Sequence, residues 1–422
     1  VNKGKRMLRV KGTHDWVDLT HFNLIIDHAK RYFALYNFQE IATPLIEPVE
    51  LFQRSLGSAT DIISKEMFLI VPRNHDDQIC LRPEGTASVV RAFIENNIQT
   101  LPWKVFTWGP MFRYERPQKG RSRQFHQISM EIIGAQSIAH DAQLIMMLDR
   151  YFHEQLTLNN YALELNFLGC AQDRVQYKER LQAFLQTLGE QALCAQCVDR
   201  QHKNILRVFD CKNESCQQLY SKAPHTADFL CAPCDQEWTQ LRHELEQLSV
   251  SFAYRPTLVR GLDYYTKTVF EFVSNDLGAQ NAFCGGGRYD HLVKELGGKQ
   301  DQPSLGAAIG IERLLIALQA RQDAPLAGQH APLHVIIPLS IAQKSLALML
   351  ADMLRAHNLA VDVLLDDDSL KSMMRQANKM GALYALLLGS EEQEHGNVTI
   401  KHMVTGKEER VSQITAAEYL KR

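Results

Sequence analysis

Between Gln127 and Ile132 the chain alternates in character. Gln127, Ser129 and Glu131 fall on one parity, and Ile128, Met130 and Ile132 on the other. Successive side chains of an extended strand point to opposite faces, so this period predicts a β-strand spanning Arg123–Ile132, with one apolar and one polar face. Three polar side chains in a row form either the floor of a polar pocket or a solvated face. Upstream, Val105–Trp108 and Met111–Tyr114 read as strands joined by Gly109-Pro110. Such stretches require a sheet, and helical spacing nearby supplies its cover. Phe22, Ile25, Ile26, Ala29 and Phe33 predict a helix over 20–37. Pro83-Glu84-Gly85-Thr86 ends a strand at 78–82 and caps a helix to about Asn96, and a further helix runs from about Ala139 to Leu156.

The rest of the chain divides by pattern. A short strand is expected at Glu40–Glu47, at an edge or bulge because of Pro44. Residues 171–250 read mostly as helices and hold six of the nine cysteines. Strand-like text returns in the 260s. Gly306–Leu315 is expected to open a helix running to about Ala320, and a polar linker occupies about 321–332. Beyond it, strands at 334–338, 361–365, 384–388 and 398–401 alternate with helices at 341–356 and 370–380, which predicts a small α/β domain with a mixed sheet.

Bulk composition excludes some classes. At 422 residues, two to four domains are expected. No apolar run approaches the ~18 residues of a membrane span, and the basic N-terminus has no apolar core of a secretory signal. Cysteines in a long chain without such a signal point to a reducing cytoplasmic setting, with thiols free or metal-bound. The net charge is −2, so a polyanionic partner must be met by local basic patches.

One such patch is evident. Arg113, Arg116, Lys119, Arg121 and Arg123 fall within eleven residues beside a single acid, Glu115. Guanidinium forks offer paired planar donors suited to phosphate oxygens. The tip Pro117-Gln118-Lys119-Gly120 returns the chain to Phe125, which either packs in the core or stacks on a purine. A second concentration is Arg260-Gly261-Leu262-Asp263-Tyr264-Tyr265-Thr266, with a cation, a carboxylate and two phenols. Arg313, in the first turns of its helix, opposes the helix dipole unless an anion binds nearby.

These segments carry a resemblance. Phe112-Arg113-Tyr114-Glu115-Arg116-Pro117, with Arg121 and Phe125, resembles motif 2 of class II aminoacyl-tRNA synthetases. Gly306–Arg313 resembles their motif 3, and the region around Pro44 their motif 1. Arg260–Tyr265, Gly285-Gly286-Gly287-Arg288-Tyr289-Asp290 and Arg82-Pro83-Glu84-Gly85-Thr86 resemble segments of the histidyl-tRNA synthetase family. The resemblance implies an α+β catalytic domain, an antiparallel sheet flanked by helices, in two parts (1–170 and 257–321). It further implies a helical insertion (171–256) and a C-terminal α/β anticodon-binding domain (333–422).

It also implies an ATP-dependent ligase that attaches L-histidine to tRNA through an adenylate, with Mg2+ accompanying ATP. Arg113 and Arg260 would flank the α-phosphate as the catalytic cations. Glu115, Arg121, Phe125 and Arg313, with Arg113, would bind ATP. Glu84, Gly85, Thr86, Gln127, Glu131, Tyr264 and Tyr265, with Arg113 and Arg260, would hold histidine. Arg116, Gln118 and Arg123 would meet the tRNA acceptor end. Relatives are homodimers, through the segment matching Thr43–Glu50 here. The rival readings are a non-charging regulatory paralogue of the same fold, or another class II specificity such as threonine, proline or glycine.

Cys194-x-x-Cys197 and Cys231-x-x-Cys234 have zinc-knuckle spacing, with Cys211 and Cys216 between them. The two pairs form a candidate structural Zn2+ site. The 33 residues separating them exceed the usual ~15–20 of a zinc ribbon. Cys80, Cys170 and Cys284 read as core residues.

Overall fold

The computed structural model describes residues 7–57, 60–71, 78–278, 281–320, 331–366 and 368–421. Most of the expected linker, at 321–330, lies outside these. The chain forms two compact units, Val1–Leu326 and Ala327–Arg422. Among the described residues no helix is long and apolar enough to cross a membrane.

In the first unit the strands are β1 (Gln39–Glu40), β2 (Ile46–Pro48), β3 (Phe68–Ile70), β4 (Ile79–Leu81), β5 (Trp103–Phe112), β6 (Gln124–Ile133), β7 (Ala162–Phe167), β8 (Ala253–Tyr254), β9 (Thr266–Val273), β10 (Ala282–Arg288) and β11 (Ser304–Gly310). Its helices are α1 (Thr20–Ala34), α2 (Val49–Leu56), α3 (Thr86–Glu95), α4 (Ala139–Arg150), α5 (Ala171–Leu188), α6 (Ala195–Lys203), α7 (Glu214–Tyr220), α8 (Ala232–Gln247), α9 (Leu292–Glu295) and α10 (Ile311–Gln319). Eight strands make one sheet in the order β1-β5-β6-β11-β10-β9-β7-β8. Its interior pairs are antiparallel as expected, but the two edge pairs, β1·β5 and β7·β8, are parallel, so the whole sheet is mixed.

The alternation of β6 decides which face is which. Ile128, Met130 and Ile132 pack with Phe33 of α1, Ile145 of α4 and Leu314 of α10 in one large core. The opposite parity is not solvated: Ser129 and Glu131 are fully buried. They lie on the face covered by α2, α3 and α9, whose cluster includes Phe52, Val90, Leu292, Tyr264 and Tyr265. The polar row is therefore a pocket floor. Arg288 ties this face to the end of the sheet. It is buried, ion-paired to Asp141, and donates to the carbonyls of Ala135 (2.7 Å) and Ser137 (3.1 Å).

Several expectations about local structure are corrected. Gly109-Pro110 does not break the chain, because β5 pairs with β6 across both residues. On its outer side β5 meets β1 only at Val105 and Phe106, so proline's missing donor costs no ladder bond there. Gly306–Gly310 is strand rather than helix, and α10 begins at Ile311. Glu40–Glu47 divides instead of forming one strand: β1 at its start joins the large sheet and β2 at its end the separate sheet β2-β4-β3.

The chain leaves the sheet after β7, forms α5 to α8, and returns as β8 beside β7. Tyr177, Leu181, Leu185, Val208 and Tyr220 make a small core of the inserted helices. Trp238, Leu241 and Leu245 of α8 pack instead into the main core.

In the second unit β12 (Leu333–Pro338), β13 (Ala360–Val363), β14 (Tyr384–Leu388), β15 (Asn397–His402) and β16 (Glu408–Ser412) form a mixed sheet in the order β13-β12-β14-β15-β16. Leu350 and Leu354, from the helix Lys344–Ala356, pack against Ile336 and Leu386 on one face. Met373 and Ala377, from the helix Leu370–Lys379, pack against Val335 and Ile337 on the other.

Candidate active site

A cleft of about 2110 Å³ opens on the polar side of the large sheet. Its deep end is built from α3, β6 and the residues before β9. Glu84 accepts the N–H groups of Thr86 and Ala87, both at 2.8 Å, and so satisfies the first turn of α3 although it is buried. Burial pushes its carboxyl pKa up, and these bonds pull it back.

Glu131 lies beneath the floor, fully buried. Thr86 Oγ1 donates to Glu131 Oε1 at 2.7 Å and the Tyr289 hydroxyl donates to Oε2. Gly306 is its cross-strand neighbour, and a Cβ there would overlap the Glu131 carboxylate. Burial raises the Glu131 pKa to about 8, against the opposing effect of the two hydroxyl donors. Around the carboxyl, the Tyr264 ring lies 4.6 Å from Tyr265 and 5.6 Å from Tyr289. Gln127 Oε1 and Ser129 Oγ are buried without a hydrogen-bond partner in the protein. Buried acceptors left open are costly, so the Gln127 oxygen, which lines the cleft, fits a ligand that brings a donor.

The other end of the cleft is cationic. Arg113 Nε donates to the Pro83 carbonyl at 2.9 Å, and its guanidinium lies 5.4 Å from the centre of the Phe125 ring. Arg121 pairs with Glu115 at 3.0 Å. Arg313 donates to the carbonyls of Gly120 and Ala282, each at 2.8 Å. Burial, reinforced by Arg121 and Arg113, lowers its pKa to about 10, which still leaves it charged at neutral pH. Arg260 is ion-paired to Glu271 on β9, with its guanidinium 5.7 Å from the Tyr265 ring centre. Burial would lower the Arg260 pKa, but Glu271 together with Tyr265 and Tyr264 outweighs it and raises the pKa.

Glu84, Thr86, Arg113, Glu115, Gln118, Arg121, Phe125, Gln127, Arg260, Tyr264, Tyr265 and Arg313 all line this one cleft. Gly85 and Glu131 do not reach its surface. Glu131 lies behind Thr86 and Tyr289, and a Cβ on Gly85 would strike Ser129 Oγ at 2.7 Å. Arg116 and Gln118 stand exposed on the loop between β5 and β6. Arg123 turns inward, its guanidinium 3.7 Å from the centre of the Tyr114 ring.

Three participants carried no role in the sequence reading. Tyr289 follows a run of three glycines that invited attention to the backbone instead. Glu271 sits opposite Gly285 across β9 and β10, a register no single segment reveals. Glu312 accepts the His126 N–H at 2.9 Å and meets His126 Nδ1 at 2.8 Å, fixing β6 to α10.

The expected zinc ligand set is corrected. Cys194 and Cys197 do not meet Cys231 and Cys234. The first pair groups with Cys211 and Cys216, and the second with Cys170 and Asp173. Each Cys-x-x-Cys pair starts its own helix, α6 or α8, and the two helix starts belong to different parts of the insertion. Cys170, expected in the core, is half-buried at the N-cap of α5.

Comparison with known proteins gives a consistent picture. A family model described as histidyl-tRNA synthetase matches residues 18–314, and one described as anticodon binding domain matches 334–422. A histidine–tRNA ligase of Aquifex aeolicus is 43% identical over 406 residues, covering 95% of this chain and 98% of the relative. One from Syntrophotalea carbinolica is 42% identical over 409 residues, covering 96% and 95%. The crystal structure of apo S. aureus histidyl-tRNA synthetase superposes with a TM-score of 0.81 at 30% identity, covering 99% of this chain and 100% of that one.

Proposed function

Since this chain belongs to the histidyl-tRNA synthetase family, we propose that its cleft activates L-histidine with ATP and transfers it to the 3′ end of tRNA. The observation that carries this reading is the convergence of Arg113, Arg121, Arg260 and Arg313 on one cleft whose deep end holds Glu84, Gln127 and the tyrosines. In the first step the histidine carboxylate oxygen attacks the α-phosphorus. The bond from that phosphorus to the bridging oxygen breaks, and pyrophosphate leaves with its electron pair. The pentacoordinate transition state gathers negative charge, so catalysis consists of alignment and fixed positive charge. Arg113 and Arg260 reach the α-phosphate from two sides. Arg121 and Arg313 hold the far phosphates, and magnesium enters as part of the nucleotide substrate. Phe125 and Glu115 receive the adenine. In the second step a ribose hydroxyl attacks the acyl carbonyl and AMP leaves.

Specificity arises at the deep end. Glu84, Thr86 and the unpartnered Gln127 oxygen accept from the histidine ammonium. Tyr265 engages a ring nitrogen, with Tyr264 along the side, and Glu131 fixes this end of the cavity from behind Thr86 and Tyr289. An apolar rival would leave these buried groups unpaired, which discriminates far more strongly than shape alone.

Arg116 and Gln118 contact the tRNA acceptor end. Arg123 acts by shaping their loop. The second unit reads the anticodon, a single-stranded target suited to base-edge contacts. The enzyme works in the cytoplasm as a homodimer. Exposed Leu45, Ile46, Leu69 and Val71, on and beside β2 and β3, support the segment Thr43–Glu50 as the dimer surface. Histidine-dependent ATP–pyrophosphate exchange tests the reading. Exchange with histidine and none with threonine, proline or glycine is expected. Silence with histidine would leave a non-charging paralogue.

A further inference from the structure

The inserted helices hold a group of side chains that the ligation chemistry does not use. The sulfurs of Cys194, Cys197, Cys211 and Cys216 all lie within 4.8 Å of one another. Cys194 Sγ and Cys211 Sγ are 3.7 Å apart. A disulfide would bring them to about 2.05 Å. Four sulfurs held ~2.3 Å from a tetrahedral zinc ion sit ~3.8 Å from each other, so the spacing is that of a metal site. Three of the four residues are buried, with only Cys194 half-buried. Two backbone N–H groups already point at sulfur: Cys194 N–H to Cys216 Sγ and Asn213 N–H to Cys211 Sγ, both at 3.4 Å. Such donors stabilise thiolate charge and orient ligands from outside the coordination shell. The apolar core around them is small, the situation in which a fold gains most from a metal staple.

The second group, Cys170, Asp173, Cys231 and Cys234, differs. Its carboxylate already accepts the N–H groups of Cys170 (3.0 Å) and Cys231 (2.9 Å). Asp173 there joins the starts of α5 and α8 through its own hydrogen bonds.

The tetrathiolate group also brackets a segment that reaches the active site. Between Cys197 and Cys211, Asn204 Nδ2 donates to Asp263 Oδ1 at 3.0 Å and Arg207 Nη1 donates to the Gly261 carbonyl at 3.2 Å. Arg207 is itself held by Asp210 at 2.8 Å, and Cys211 follows directly. Gly261 and Asp263 belong to the loop that carries Arg260, Tyr264 and Tyr265. We propose that Cys194, Cys197, Cys211 and Cys216 bind one zinc ion, and that this ion fixes the Asn204–Asp210 segment so that Arg207, as a positioning residue, holds the Arg260 loop in its activating conformation. The coupling half of this inference rests on the proposed histidine activation; the metal half does not.

The test uses the full-length chain. Elemental analysis of protein purified without chelator should give about one equivalent of zinc, and the cobalt-substituted protein should show the visible bands of a tetrahedral thiolate site. Cys211→Ser should lose the metal while Cys231→Ser retains it. Less than a tenth of an equivalent after zinc reconstitution, or metal kept by C211S and lost by C231S, would overturn the site. Arg207→Ala should keep its zinc and its KM for histidine, yet lower kcat for exchange by about 10–100-fold, the cost of an ångström-scale displacement of a catalytic group. Arg207→Lys should recover part of it. An R207A enzyme with zinc bound and unchanged kcat would overturn the coupling. If the wild-type chain catalysed no exchange, the proposed activity would fail while the zinc stoichiometry still judged the site.

Discussion

A single methyl group tests whether the position of Arg260 matters. Gly285 lies opposite Glu271 in the β9–β10 ladder, and the Arg260 guanidinium lies over it. In Gly285→Ala the new Cβ would overlap Arg260 Nη1 and sit 2.8 Å from Cζ and Nη2. Comfortable separations are about 3.5–4.0 Å, so the guanidinium must retreat by about an ångström or more. The backbone need not move, because the obstructed atoms are the far end of a long side chain, and the overpacking cost stays near ~1 kcal/mol. The fold should therefore survive while the cation leaves its place beside Glu271. Displacement on this scale lowers an activation step by up to about a hundredfold. The assay is histidine-dependent pyrophosphate exchange, with histidine affinity by calorimetry and a thermal melt alongside. The expected outcome is a fall in kcat of about 10–100-fold with a melt within a few degrees of wild type. Gly261→Ala is the steric control, since a Cβ there meets nothing within 4 Å. G285A activity within about threefold of wild type would refute the claim that Arg260 must occupy this place to within an ångström.

Other perturbations probe the remaining parts. Arg260→His should cripple adenylation while calorimetry finds histidine binding nearly intact. Arg313→Gln should raise KM for ATP by about tenfold or more, as one charged hydrogen bond of ~1.5–3 kcal/mol is lost, and leave KM for histidine unchanged. Glu131 has a folded pKa near 8, above the ordinary 4.5. Its contribution to stability is thus complete below about pH 4.5 and is lost as pH rises towards 8, by about 1.4 kcal/mol per unit in between. The urea midpoint of wild type relative to Glu131→Gln should accordingly fall from pH 5 to pH 8; a flat difference would mean the carboxyl is already ionised. Ile46→Asp combined with Leu69→Asp, at positions 52% and 65% exposed, should convert a dimer to a monomer in light scattering if β2 and β3 form the subunit contact.

How much of this was legible in the sequence depends on the range of the interaction. Alternation along β6 announced a strand and its two faces, because side-chain direction is a local property. It left open whether Gln127, Ser129 and Glu131 faced water, since that depends on α3 and α9, which lie far off in the chain. The arginines could be named from residue type and resemblance, but their restraints could not. Arg313 is held by carbonyls from Gly120 and Ala282, and Arg260 by Glu271, contacts set by how loops and helix pack on the sheet. The cysteines failed for a related reason. Spacing shows which thiols share a helix start, but the grouping of two such starts is decided by the path between them. Here Cys197 meets Cys211 and Cys216, its near neighbours in sequence, and not the more distant Cys231 and Cys234.

The charges of the cleft follow a pattern that bears on how it can work. Of the four arginines assigned to the phosphates, Arg121 and Arg260 are paired to carboxylates, Glu115 and Glu271. The other two are held by neutral partners: Arg113 by the Pro83 carbonyl, with Glu115 only at 3.9 Å, and Arg313 by two carbonyls. Among the described residues no carboxylate comes within ion-pair distance of Arg313. Carbonyl dipoles orient a guanidinium without cancelling its charge, so Arg113 and Arg313 keep a field into the cleft that the paired residues do not. A polyphosphate entering here would be drawn first to those two. Arg121 and Arg260 already sit in fixed geometry before it arrives, so little reorganisation remains for the reacting step. At the opposite end, the proton that burial keeps on Glu131 removes a negative charge that would otherwise repel the substrate carboxylate on its way to phosphorus. The two ends of the site are thus tuned by the same cause, exclusion of water. It strengthens the cations that carbonyls hold at one end and neutralises Glu131 at the other.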